Sequence, residues 1–451
     1  MIVVSSDARN TARMSAPSTV TSWRWLKPGT VDARDVPPNL RLFERVARPG
    51  SRFARSDGRV VRPWSRSRSS ARLIVSEDAR GGVMTTITAP HAHPSPAQPA
   101  PSLTRAMMPT AAEIARGRRR LHRKAGYISV LLAGSYGALV FAPVGFWLRA
   151  LFGLVLAVAC VSLATGVMHD GNHGAFSTNA RVSRIAGWSS DLLGASSYLW
   201  RFKHNKLHHG NTNVVGYDTD IDQMPFARLA PQQPWKPWHR YQHVYMWFLY
   251  GFLTLQWFLL GDLRTLRSGK VGDHALPVRP RRRDVALISF GKLLHLTWAL
   301  LIPMLFHPWW GVLAFYLSIS WLVGFLLANI FQLAHCVDRA EFFTPDAPRR
   351  GADFELHQLR TTVDIRCKVP VVRDALHWMM GGLDHQVEHH LAPKLPHTTH
   401  RLAGPRLEAV CREAGVTYRV HPSITSAVRS HARWLRAMGR RPIDPPGGIT
   451  P

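Results

Sequence analysis

Four apolar runs limit what this chain can become. Residues 126–142 (GYISVLLAGSYGALVFA), 151–168 (LFGLVLAVACVSLATGVM), 285–306 and 309–330 each reach or approach the roughly 17–25 residues that a helix needs to cross a hydrocarbon core. In that core the backbone must satisfy its own hydrogen bonds, so such runs read as transmembrane helices. They come in pairs, with turns near 143–149 and at His307-Pro308, which predicts two helical hairpins. A formal charge of +29, from 57 Lys+Arg against 28 Asp+Glu, would suit nucleic acid in a soluble chain. Here much of the excess lies in residues 1–83 and in short loops beside the apolar runs, without the aromatic-interleaved basic motifs of a nucleic-acid module. That distribution argues for the positive-inside rule and against a nucleic-acid partner. The basic stretch AAEIARGRRRLHRK, 111–124, then sets the start of the first span inside, and the second span returns to the cytosol.

Histidines gather where the runs end. HDGNH carries His169 and His173, HNKLHH carries His204, His208 and His209, and QVEHH carries His389 and His390. Four helical residues turn through about 400°, so His169 and His173 share a face, as do His204 and His208, with His209 about 100° further round. One such pair is a weak signal. Three clusters beside membrane spans are a strong one, because ionisable groups there are costly and functional by default. Imidazole suits iron, copper and zinc. A zinc ion takes four ligands, or three from protein when catalytic, so seven histidines exceed one zinc and suit a pair of iron ions. FQLAHC adds His335, at the mouth of the fourth span, as an eighth candidate. His385 lies four residues before His389, and Gln386 lies three before His389 and four before His390, so spacing leaves either one open as a further ligand. Asp170, Asp218, Asp220, Asp222 and Glu388 are candidates to orient ring N–H groups; Asp218 and Asp220 read equally well as loop solvation. His357 is open between such a role and the surface. Trp200 and Arg201, beside the second cluster, are candidate contacts for a substrate headgroup. His295, alone on an apolar span, reads as a packed core residue, and His91 and His93 as solvated ones.

A shared site constrains how many segments cross. Residues 239–263 (HRYQHVYMWFLYGFLTLQWFLLGDL) are also apolar, but aromatics such as Tyr241, Tyr245, Trp247 and Trp257 crowd them, and such rings favour the membrane–water interface. Were this segment to cross, three spans would separate the second cluster from the third and place them on opposite sides. It is therefore expected to lie in the interface or re-enter. The expected fold is all-α: an integral membrane protein of four transmembrane helices in two hairpins, with an interfacial helix and a cytosolic helical cap carrying the histidines.

Outside this region the chain reads as unstructured. Arg, Ser and Pro dominate residues 1–83, and TAPHAHPSPAQPAPS follows as a Pro/Ala-rich linker. A basic arm for anionic lipid, a transit peptide and an overlong start before Met84 are the alternatives to simple disorder. The expected organisation is a disordered extension over 1–110, a membrane domain over 111–438 and a disordered tail over 439–451. Cys160, Cys336, Cys367 and Cys411 form no CxxC and no disulfide framework, which suits an active face in the reducing cytosol.

HDGNH, HNKLHH and QVEHH, in this order and with spans between, resemble the three histidine boxes of the membrane fatty acid desaturases. The likeness runs from about residue 120 to 435 and takes in NTNVVGYDTDID, FQLAHCV, HQLRTT and GGLDHQVEHHLAP. It is closest to the bacterial acyl-CoA or acyl-lipid branch related to front-end desaturases, to which the Gln386 form of the third box points. The resemblance implies that His169, His173, His204, His208, His209, His389 and His390 bind iron and that His335 is a further ligand. It favours Gln386 over His385, where the family commonly has an aromatic residue or Asn. It also implies two iron ions, dioxygen as co-substrate, an acyl chain shielded in a tunnel under the spans, and a cis double bond as product. No side-chain base removes a proton from a saturated carbon, so the chemistry must come from a metal-bound oxidant. The HPGG signature of a fused haem domain is absent, so a separate donor, ferredoxin- or cytochrome-type with its reductase, is expected. The expected location is a bacterial cytoplasmic membrane, with the active site on the cytosolic side. A membrane di-iron hydroxylase or ketolase acting on a lipid or carotenoid is the alternative. A non-enzymatic metal or haem carrier would need only a few paired ligands on facing spans.

Overall fold

The computed structural model describes residues 73–77, 83–87, 102–345 and 352–442, in two units. In the first, strands β1 (Leu73–Glu77) and β2 (Val83–Ile87) pair antiparallel, with Leu73 opposite Ile87. The rest of the N-terminal extension up to residue 101, and residues 443–451, lie outside the described residues.

The second unit is helical, and its described residues begin at 102. Helix α1 (Leu103–Met107) is N-capped by Ser102 and buries Leu103 and Met107. Helix α2 (Ala111–Phe141) opens on a capping box in which Thr110 and Glu113 each satisfy the other's backbone N–H. The basic stretch and the first apolar run, read separately in the sequence, form this one helix because no proline divides them. Helix α3 (Phe146–His173) likewise carries the second run straight into the first histidine box. It widens to a π turn at Leu163–Met168 and ends at Gly174, whose left-handed φ of 76° closes the helix. Next come α4 (Ala180–Gly187) and α5 (Ser197–Phe202), then α6 (Pro237–Ser268), α7 (Arg282–Met304) and α8 (Trp309–His335). A cap follows of α9 (Ala352–Thr361), α10 (Pro370–Met379), α11 (Gln386–Leu391), α12 (His400–Glu413) and α13 (Ile424–Met438). Its only strand pairing among the described residues is the short parallel match of Asp364–Ile365 with Val420–His421.

Helices α2, α3, α6, α7 and α8 are long and apolar enough, by length and composition, to cross a membrane. Helix α3 is the most enclosed of them: Leu156, Cys160, Ala164 and Met168 pack against Val323, Leu327 and Ile330 of α8 and against Met380 and Leu383 of the cap. Around this core, large apolar side chains such as Phe146, Trp147, Leu305 and Trp310 stay exposed. So much contiguous apolar surface suits lipid rather than water. In lipid, helices associate by close packing rather than by water exclusion. The α6–α8 contact shows it: a Cβ on Gly324 would lie 2.4 Å from the Gly251 carbonyl oxygen.

Helix α6 is bent where residues Tyr250–Phe252 tighten to a 3₁₀ turn. Its middle meets α8, with Trp321 Nε1 donating to the Phe248 carbonyl at 3.1 Å. Gln242 Nε2 donates to the Leu435 carbonyl of α13 at 2.8 Å. Asp262 accepts from the backbone N–H of Ser196, next to α5, at 3.0 Å, and from Lys292 Nζ at 2.6 Å.

Candidate metal centre

The ends of α3, α5, α8 and α11 converge. They bring together His169 and His173, His204, His208 and His209, His335, and His389 and His390, each no more than 7 % exposed. Local backbone geometry makes the convergence possible. Gly171 lets α4 cross the first box: a Cβ there would lie 2.4 Å from the Gly187 nitrogen. In the second box, Lys203–His208 is a π turn, with the His209 N–H donating to the His204 carbonyl at 2.9 Å. This five-residue repeat corrects the expected rotation of His209. It puts His209 beside His204, their Nε2 atoms 3.1 Å apart, and within 3.0 Å of His389 Nε2.

Two ligand sets result. In one, His169, His173, His204 and His389 each present a nitrogen within 4.8 Å of the others. In the other, His208, His335 and His390 do the same. His209 lies between the two, its Nε2 against His204 and His389 of the first and its ring stacked on that of His390 of the second at 4.2 Å.

The second set is oriented from behind. His208 Nδ1 donates to Asp218 at 3.0 Å. Asp218 is fixed in turn by the backbone N–H groups of Asn213 and Asp220, at 2.9 and 3.0 Å. His335 Nδ1 donates to the Thr361 carbonyl at 3.2 Å. His390 Nδ1 donates to Gln358 Oε1 at 2.9 Å, while the Gln358 amide donates to the His209 carbonyl at 3.0 Å. Each Nδ1 therefore carries the proton, and each Nε2 lone pair is left for a metal. Burial, then the neighbouring imidazoles, hold His204, His209, His389 and His390 well below the ordinary imidazole range. They are neutral at pH 7, the form that binds metal. Burial also pulls His208 down, but Asp218 and Asp220 outweigh it and hold that ring above its ordinary value.

The donor set fits a metal pair. Buried without a hydrogen-bond partner are both ring nitrogens of His169, Nε2 of His173, Nδ1 of His209 and Nε2 of His390. A buried polar atom left unpaired costs about 1–3 kcal/mol, and several on one centre call for a cation. Eight imidazoles in two adjoining sets are too many for one zinc and suit a pair of metal ions such as iron.

The remaining sequence candidates sort by position. Asp218 is buried beneath His208, whereas Asp220 pairs with Lys203 at 2.9 Å and lies 3.6 Å from His208. Asp222 is exposed. His357 is buried and donates to the Thr212 carbonyl at 2.9 Å; Thr212 in turn bonds Gln358 and His390. Glu388 turns away from the ligands, accepting from Tyr418 at 2.8 Å. His385 stands among Asp364, Asp384 and Glu388. Burial lowers it, but these carboxylates, Asp384 foremost, raise it well above its ordinary value, and a charged ring has no lone pair to give. Gln386 is buried in the first turn of α11. Trp200, expected at a headgroup, instead stacks on His204 at 4.2 Å and walls the centre; Arg201 is half-buried beside it. His295 is a satisfied core residue, bonded to the Leu192 carbonyl and the Tyr316 hydroxyl, each at 3.0 Å. Sequence reasoning missed Gln358, which lay inside HQLRTT, and His397 and His400 in PHTTH. His397 contacts Asp170 at 3.0 Å, and His400 packs 6.0 Å from His389 with a buried, unpartnered Nε2.

An apolar cavity of about 670 Å³ reaches the last turn of α3 before the first histidine box. Met168, next to His169, lines one end, and Ala164, Cys160, Leu156 and Phe146 continue the same wall along α3. At 1.5 Å per residue that wall is roughly 30 Å long.

A histidine-rich metal centre at the mouth of an apolar membrane cavity defines a membrane oxidoreductase. Residues 145–422 match the family model for fatty acid desaturases. The chain is 35 % identical over 323 residues to an sn-1 linoleoyl-lipid 6-desaturase of Synechocystis, covering 71 % of this chain and 89 % of that one. It is 32 % identical over 325 residues to an enzyme of the same description from Arthrospira platensis, with 71 % and 86 % covered. An acyl-lipid (8-3)-desaturase of Physcomitrium patens is 32 % identical over 325 residues, covering 69 % of this chain and 65 % of that one. The chain belongs to the fatty acid desaturase family.

Proposed function

We propose that this desaturase introduces a cis double bond into an acyl chain held on a membrane lipid, using dioxygen and two iron ions. The observation that carries it is the cavity beginning at Met168, one residue from His169. It lies among the helices that lipid would surround, so a bilayer acyl chain can enter from the side. The acyl-lipid relatives support the same carrier. When bound, the iron pair supplies the oxidant that a saturated carbon requires. The chain's own residues do the rest. The eight histidines, with Gln386 as the further ligand, hold the metals. Asp218, Gln358 and the Thr361 carbonyl fix ring orientation, and the walls of α3 and α8 exclude water and hold the acyl chain straight past the centre.

The enzyme sits in the membrane with four crossings, and α6 dips in and returns. Both its ends bond to cap-side residues, Leu435 at one and Ser196 at the other, which supports a shared side for all three boxes. A cytosolic active face, a bacterial cytoplasmic membrane and a separate ferredoxin- or cytochrome-type donor complete the proposal. Pulse-labelling a host with a saturated fatty acid tests the carrier. The labelled double bond is expected first in intact phospholipid or glycolipid. First appearance in the acyl-CoA pool would contradict it.

A further inference from the structure

Asn213, in the loop after the second histidine box, is fully buried and has a φ of 55°. Among the described residues no other side-chain-bearing position has a positive φ. Asn tolerates that left-handed conformation better than most residues, but not without cost. Its side-chain Nδ2 donates to the carbonyl of His335 at 3.0 Å, to that of Glu341 at 3.1 Å and to that of Thr361 at 3.4 Å. Three carbonyls can be met only by the NH₂ end of an amide, which fixes its orientation. The Oδ1 end is left buried without a hydrogen-bond partner. A left-handed backbone and an unpaired acceptor are both costs, and local costs of this kind collect at functional sites.

Two of the three carbonyls belong to a metal ligand or to its support. His335 is the last residue of α8, where helix carbonyls lack partners within the helix, so the Asn213 amide closes that end from another part of the chain. The Thr361 carbonyl also accepts from His335 Nδ1, at 3.2 Å, so amide and imidazole meet on one oxygen. The backbone N–H of Asn213 points to the other ligand. It donates to Asp218 Oδ2 at 2.9 Å, the same oxygen that accepts from His208 Nδ1 at 3.0 Å. The rings of His208 and His335 lie edge to face, with centroids 4.8 Å apart. We propose that Asn213 is a positioning residue that fixes His208 and His335 relative to each other. Its backbone N–H aims the first through Asp218, and its side chain holds the second through the His335 and Thr361 carbonyls. The inference rests on the metal-centre proposal above.

The test uses two variants of the full-length protein. Asn213→Gly keeps the left-handed backbone and its N–H but removes the amide. Asn213→Asp keeps the shape but turns an acceptor toward carbonyls that need a donor. Iron affinity, by competition with a chelator, and the Mössbauer spectrum are measured on detergent-purified protein. In both variants iron affinity at one of the two positions is expected to fall roughly 10–100-fold, with one spectral component altered and the other as in wild type. Either variant with wild-type affinity and spectrum would overturn the proposal; for Asn213→Gly, that result would leave Asn213 a turn residue only. Equal weakening at both positions would also overturn it, as a general loosening of the fold. If Asn213→Gly gives no monodisperse protein, Asn213→Asp decides by the same readouts, and failure of both to fold overturns the proposal in favour of a purely structural role. Wild-type protein that takes up no iron would refute the metal centre itself, which the other outcomes leave standing.

Discussion

Asp218 shows how one side chain decides what its neighbour can do. It accepts the hydrogen bond from His208 Nδ1 and is held by two backbone N–H groups, so the imidazole can only turn Nε2 inward. Asp218→Asn keeps the shape but removes the charge, and iron affinity is expected to drop roughly 10–100-fold in an equilibrium competition with a chelator. Unchanged affinity would show that the carboxylate is loop solvation. The third box offers a sharper comparison. His385 is held among carboxylates that keep it charged, whereas Gln386 is buried at the start of α11. Gln386→Ala should remove most desaturation, Gln386→His should keep part of it, and His385→Tyr should keep most. A dead His385→Tyr beside a normal Gln386→Ala would transfer the ligand to His385. That the eight histidines gather was legible because histidine is conspicuous at the ends of apolar runs. Gln358 and His397 were not, because an amide or a lone imidazole far along the chain acquires meaning only when folding carries it to a ligand.

At the scale of elements, periodicity gave the helices and missed their irregularities. An α-helical turn of the second box puts His209 to one side, but the π turn at Lys203–His208 sets it against His204. Nothing in KHNKLH alone announces five-residue bonding, which here serves the joint demands of three histidines on one centre. The fate of α6 is argued from parity, and labelling decides it. Cysteines at Lys236→Cys and Arg264→Cys should react with a membrane-impermeant reagent from the same side of sealed vesicles. Labelling from opposite sides would place a crossing between them and separate the boxes. The cavity was expected only as a tunnel under the spans, since its walls come from helices distant in sequence. Filling it midway with Leu156→Trp should leave iron content unchanged and shift the product profile toward shorter acyl chains, read by gas chromatography. An unaltered profile would move the acyl chain elsewhere.

For the whole molecule, helix class and membrane placement were legible because apolar length is nearly all that a bilayer demands. The packing of α1 was not: it joins the fold through Ser102 and Leu103, which bond Glu355 of α9 at 2.6 and 2.9 Å, a tertiary tie that a Pro-rich linker hides. Residues 1–83 carry no core-forming pattern, so a chain lacking them should insert and desaturate normally; insertion with loss of activity would give that segment a role. What joins the parts is the proposal that a metal centre at the head of an apolar cavity removes two hydrogens from an acyl chain and adds no oxygen. That claim meets its most direct test in the fatty acids of a host expressing the protein, analysed by gas chromatography–mass spectrometry beside a host expressing His208→Ala. A new cis-unsaturated fatty acid is expected with the first and none with the second. A hydroxylated product, or an unsaturated one that persists in His208→Ala, would contradict it.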